Sequence, residues 1–171
     1  MTRLAIVATL LALSGCGAMP QPSQQPPNGQ VACIVRGFTG PVFSWPTAGE
    51  PVLQRLGYTV EVHDMGVEPS SLDHCSVVVA HSWGAPPSLK AHGPRSIFLI
   101  DPFAIVGMHC PYGARCVNFH NITNVTGAHL DGADNVPASG AGAIPFVLGH
   151  VIMAAQPEVW DRIVEDLEPR S

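Results

Sequence analysis

Val77-Val78-Val79-Ala80-His81-Ser82-Trp83-Gly84 is a run of β-branched residues that stops abruptly at a small residue followed by His-Ser-Trp-Gly. An apolar run without polar alternation suits a strand buried on both faces of a sheet. Its ending predicts a sharp turn that holds Ser82 on strained backbone, with a helix starting just after Gly84. Residues two before and two after such a turn crowd together, which accounts for Ala80 and Gly84 being small. The plainer reading is an ordinary strand-to-helix turn with a capping serine.

Residues 31–35 form a second apolar run and predict another buried strand, followed by the turn Arg36-Gly37-Phe38-Thr39-Gly40-Pro41. Thr47 and Glu50 have capping-box spacing, so a helix is expected with Pro51 in its first turn, Leu53 and Leu56 facing the sheet and Gly57 ending it. Residues 58–63 alternate and predict an edge strand, and 66–74 are a short polar connection. The helix after Gly84 is short, because Pro86 and Pro87 crowd its start and Gly93-Pro94 ends it. Residues 96–100 predict a buried strand ending in Asp101-Pro102, and 116–122 another strand. Residues 127–142 are rich in Gly, Ala and Asp and are expected to be irregular. A short apolar segment, 144–148, leads into Gly149-His150, and a last helix over 156–168 carries the stripe Val159, Ile163 and Leu167. Strands alternating with helices predict an α/β fold with a mostly parallel sheet flanked by helices. Ligands of such sheets bind at the carboxyl ends of strands, where Gly37-Phe38, Ser82, Asp101 and His150 are expected.

The chain has 171 residues, 46% hydrophobic and 12% charged, with a net charge of −5. Such a chain can bury a real core in one domain. No basic cluster appears, so nucleic-acid binding has no electrostatic basis. Seventeen Gly and seventeen Pro imply many turns and short elements. Arg3 followed by an apolar segment over 4–13 predicts a signal peptide over 1–15. Its end, Leu13-Ser14-Gly15-Cys16, resembles the lipobox of bacterial lipoproteins. That resemblance implies cleavage before Cys16, acylation of Cys16 and anchoring in the cell envelope. Gly17 after the cysteine favours the periplasmic side of the outer membrane. Residues 16–30, dominated by Pro, Gln and Ser, are expected to be a disordered tether, and 31–171 the folded domain.

Cys33, Cys75, Cys110 and Cys116 remain, and four thiols allow three pairings. Cys110 and Cys116 enclose a turn-rich loop that can close locally. Cys33 and Cys75 lie early in two expected strands and meet if those strands are neighbours. Zinc is the rival reading, but the spacing is not that of a finger or ribbon and an exported chain favours disulfides.

A serine hydroxyl is a poor nucleophile without a neighbouring base, and the base needs orientation. Arg36-Gly37-Phe38, Ala80-His81-Ser82-Trp83-Gly84 and Gly149-His150 ahead of a Pro-started helix, in the chain order Ser82, Asp101, His150, resemble a compact α/β-hydrolase of the lipase, esterase or thioesterase type. The resemblance runs over residues 31–168. No cap domain is visible, and Ala80 stands where the usual motif has glycine. It implies Ser82 as nucleophile, His150 as general base and then acid, and an oxyanion hole from the backbone N–H of Trp83 and one near Phe38. Among the eight histidines, His129 competes with His150 for the base. His81 is expected to line the pocket, since adjacent residues on a tight turn point apart. For the acid, Asp101 is preferred; relatives that place it one strand later leave Asn121, Asn124, Asp131 and Asp134 as the residues there.

The function expected is an envelope-anchored serine hydrolase acting on a small-molecule ester or thioester, with Phe38, Phe43, Trp45, Trp83 and Phe103 suggesting an apolar acyl pocket. The alternative is a hydrolase-fold lipoprotein without activity, serving binding or structure. A metal- or redox-binding domain lacks C-x-x-C and H-E-x-x-H motifs, so no metal or cofactor is expected.

Overall fold

The computed structural model describes residues 19–38, 45–121, 124, 127, 129–138 and 146–168. Cys16, the signal segment and Phe43 lie outside them, as does the side chain of Trp45. Among the described residues six strands pair in parallel: β1 Val31–Val35, β2 Thr59–His63, β3 Val77–His81, β4 Ser96–Ile100, β5 Arg115–His120 and β6 Asp134–Pro137. Their order is β2-β1-β3-β4-β5-β6. Among the described residues four α-helices accompany them: α1 Trp45–Arg55, α2 Ala85–Lys90, α3 Phe146–Met153 and α4 Pro157–Leu167.

The uninterrupted apolar runs are explained by the two cores they serve. Ala32, Ile34, Val77, Val79, Phe98 and Ile100 face one side of the sheet, where Leu53 of α1, Met153 of α3 and Trp160 and Ile163 of α4 cover them. Cys33, Val35, Val78, Ala80, Ile97 and Leu99 face the other side, closed by Ala85 and Leu89 of α2 and by Leu72. A strand sandwiched this way has no polar face to show. Leu72 belongs to a short 3-10 turn, Pro69–Leu72, in the link from β2 to β3. That link crosses only β1, so it needs no full helix.

Both cysteine pairs are joined. Cys33–Cys75 links β1 to the approach of β3, and Cys110–Cys116 closes the loop into β5.

Three expectations are corrected. Residues 127–142 are not wholly irregular: Asp134–Pro137 forms the edge strand β6, paired with β5. α1 begins at Trp45, so Pro51 lies inside the helix and not in its first turn. His150 lies within a helix, α3, and not at a strand end. From Met19 onward the N-terminal segment lies against the domain. Gln25 N–H donates to Arg55 O at 2.7 Å and Asn28 N–H to Gly57 O at 3.0 Å. Pro22 is buried, and Met19 packs against the core cluster to which α1 and α4 contribute.

Candidate active site

The chain runs outward from β1 to β2 in one direction and from β3 to β6 in the other. The carboxyl ends of β1 and β3 therefore flank the topological switch point, the usual crevice for a ligand in an open parallel sheet. Gly37 lies just past β1 and Ser82 just past β3. A Cβ on Gly37 would sit 2.5 Å from Ser82 Cβ and 3.0 Å from Ser82 Oγ, so only glycine lets the two loops meet. A Cβ on Gly84 would sit 2.5 Å from Val35 O. The crowding that keeps position 84 small thus comes from the end of β1, beside the turn.

Ser82 opens a 3-10 turn, Ser82–Gly84, at the head of α2 and has φ +58°. Backbone in this region is rare for a residue with a side chain and stores strain. It turns the side chain out of the strand direction, toward α3. Ser82 Oγ lies 2.9 Å from His150 Nε2, and His150 Nδ1 lies 2.7 Å from Asp101 Oδ2. A carboxylate can only accept, so His150 Nδ1 carries the proton and Nε2 is left to accept from the serine hydroxyl. All three residues are buried, at 3%, 7% and 0% exposure, so the line of bonds is shielded from competing water.

Asp101, with φ +42°, follows β4 directly. Its second oxygen, Oδ1, accepts from the Asn121 backbone N–H at 3.0 Å and from Asn124 Nδ2 at 2.7 Å. Asn124 also donates to Pro102 O and accepts from Gly127 N–H, which folds the loop after β5 around the carboxylate. Burial pushes the Asp101 carboxyl up, but the hydrogen bonds from His150, Asn124 and Asn121 together outweigh it and hold the group below its ordinary value. A buried carboxylate that stays ionised is the partner an imidazole needs to take up a proton.

His81, expected to line the pocket, is buried, and its Nε2 donates to the His150 carbonyl at 2.9 Å. Its ring stacks on the His150 ring at 4.6 Å between centroids. Burial, then the neighbouring His150, lowers its pKa from 6.5 to about 4. The Phe103 ring also lies 4.6 Å from the His150 ring, and Trp83 lies 6.2 Å from Phe103.

The structure brings Ser82, Asp101 and His150 together and leaves the competitors elsewhere. His129 pairs with Asp131 at 3.0 Å, and both are largely exposed. Asn121 and Asn124 hold Asp101 in place of substituting for it. Asp134 forms a surface pair with Arg162. Phe38 is 73% exposed and Trp83 50%, at the rim of the crevice. The Asn121, Asn124, Gly127 spacing, three apart after a strand, is the signal that would have pointed to the cradle, since Asn side chains bond to nearby backbone in turns.

Two donor groups with metal-ligand spacing occur among the described residues, Cys33 with His74 and Cys75, and Cys33 with Glu61 and His63. Both depend on the Cys33 sulfur, which is committed to a disulfide and offers no thiolate. Comparison with protein-family models, curated proteins and solved structures finds no match to the chain.

Proposed function

We propose that the chain is a serine hydrolase of the α/β-hydrolase type, cleaving a carboxylic ester or thioester through an acyl-enzyme. The observation that carries this reading is the unbroken line Asp101–His150–Ser82, with the serine on left-handed backbone at the switch point of the sheet. Ser82 Oγ attacks the carbonyl carbon while its proton passes to His150 Nε2. The tetrahedral intermediate collapses, and the leaving alcohol or thiol takes that proton from His150. Water then attacks the acyl-serine with His150 again as base, releasing the acid and restoring Ser82. Asp101 remains a carboxylate throughout and stabilises the imidazolium.

The backbone N–H groups of Phe38 and Trp83 are the oxyanion donors in this reading. The approach of Gly37 to Ser82 supports the first, because the Phe38 peptide follows directly. The wall formed by Trp83, Phe103 and the His150 ring supports an apolar acyl group as the part of the substrate held beside the serine. We also propose that the domain is exported and anchored through acylated Cys16. Among the described residues no helix is long and apolar enough to cross a membrane.

Intact-mass measurement after fluorophosphonate treatment tests the reading. One adduct, absent in Ser82→Ala and His150→Ala, is the expected result. A folded chain that takes up no adduct would overturn it and leave a lipoprotein whose role is binding.

A further inference from the structure

Two neighbouring residues at the end of β3 both hold His150, but they hold different parts of it. The Ser82 hydroxyl bonds the ring at Nε2, and the His81 ring bonds the main-chain carbonyl, each at 2.9 Å. The His81 ring also lies against the His150 ring, with 28° between their planes. We propose that His81 is a positioning residue: bonded to the His150 backbone and stacked on its imidazole, it fixes α3 against the end of β3 so that the imidazole stays in line between Asp101 and Ser82. The kinetic part of this inference rests on reading Ser82 and His150 as nucleophile and base; the structural part does not.

α3 is only eight residues long and mostly apolar, so burial alone fixes its depth but not its rotation. A hydrogen bond to a carbonyl adds a direction, and in a buried setting losing it leaves a polar group unsatisfied. The bond also fixes the His81 tautomer, because a carbonyl accepts and Nε2 must then carry hydrogen.

His81 stays uncharged at neutral pH, since burial holds its pKa down to about 4 with His150 pushing the same way; the hydrogen bond to the His150 backbone, and then Asp101 at the end of β4, push upward without overcoming this. A charged ring at this distance would oppose protonation of His150 and weaken it as a base. An uncharged one leaves His150 free to take the serine proton.

Nuclear magnetic resonance of the full chain with ¹⁵N-labelled histidine reads the tautomer of His150 directly. Wild type is expected to show a single His150 tautomer with hydrogen on Nδ1. His81→Ala, and His81→Phe, which keeps a stacked ring but loses the bond, are expected to give mixed His150 tautomers. The fluorophosphonate rate should fall by about 10²-fold, the scale expected when a catalytic group is misplaced by an ångström. His81→Gln, which can still donate to the carbonyl, should recover about tenfold of that loss. His150 ring signals still showing the single wild-type tautomer in folded His81→Ala or His81→Phe would overturn the inference. If wild type forms no adduct, the reading of Ser82 fails by itself, and the His150 ring signals still decide the role of His81.

Discussion

Ser82 and Asp101 share the same left-handed backbone twist, φ +58° and +42°, at the ends of the adjacent strands β3 and β4. The two turns are tied together, since Phe103 N–H donates to Ser82 O at 3.1 Å. Both side chains are thereby turned from the strand direction toward one histidine.

Such twist opposes any residue with a Cβ by about 1–2 kcal/mol. Ser82→Gly should therefore be more stable than Ser82→Ala by up to about 1 kcal/mol, after the greater freedom of glycine in the unfolded chain is counted. Urea denaturation of the two variants checks this. An equal or lower stability for glycine would mean that the turn is not strained.

Asp101→Asn keeps the shape of the side chain but lets the amide donate, which favours the wrong His150 tautomer. The fluorophosphonate rate should fall by roughly 10⁴-fold with little change in fold, the scale seen for such a change in other triads. Asn124→Ala removes donors to Asp101 Oδ1 and Pro102 O. It should lower stability by about 1–3 kcal/mol and raise the acid limb of the rate profile, because the carboxylate loses a hydrogen bond that favours its charge.

Acid should weaken the fold in two separable stages. His81 has a native pKa of about 4 against 6.5 when unfolded, so above pH 6.5 neither state is protonated and it contributes no pH dependence. Between 6.5 and 4 only the unfolded chain binds the proton, and stability falls as pH falls, by about 3 kcal/mol in all. Below 4 both states are protonated and this contribution is flat. Asp101 has the opposite arrangement: its native pKa lies below the unfolded 3.8, so its stabilisation is present above 3.8 and is lost as pH falls through the lower native value. Denaturant midpoints across pH should show both stages, and His81→Gln should remove the first.

Cys33–Cys75 spans 42 residues and Cys110–Cys116 spans 6. Chain entropy assigns about 4 kcal/mol to the first closure and about 2 to the second. Replacing Cys33 and Cys75 by Ala should therefore lower the denaturation midpoint more than replacing Cys110 and Cys116.

Much of this arrangement was legible in the residues themselves, for reasons that differ by element. β1, β3 and β4 are unbroken apolar runs because both sheet faces are covered, and nothing else explains so many consecutive buried side chains. Ser82 and Asp101 were visible because Asp101 directly follows such a run and Ser82 follows one with only His81 between. β6 was not, because Asp134-Asn135-Val136-Pro137 has one aliphatic residue and lies at an edge. It is held by pairing with β5 and by Asn135, which bonds Leu130 and Asn118. α3 was illegible for the opposite reason. Phe146–Met153 is apolar nearly all round, so it has no helical stripe to detect. The bond from His81 to the His150 carbonyl depends on how α3 sits, which no local pattern encodes.

The N-terminal arm has a consequence for where chemistry could happen. Met19 already packs on the domain, and Cys16 precedes it by three residues, a reach of at most about 11 Å. With Cys16 acylated as proposed, the domain would ride on the bilayer like a moored hull, with almost no rope to pay out. Its hunting ground would be a thin layer along the membrane, and encounters with substrate would depend on what diffuses within that layer.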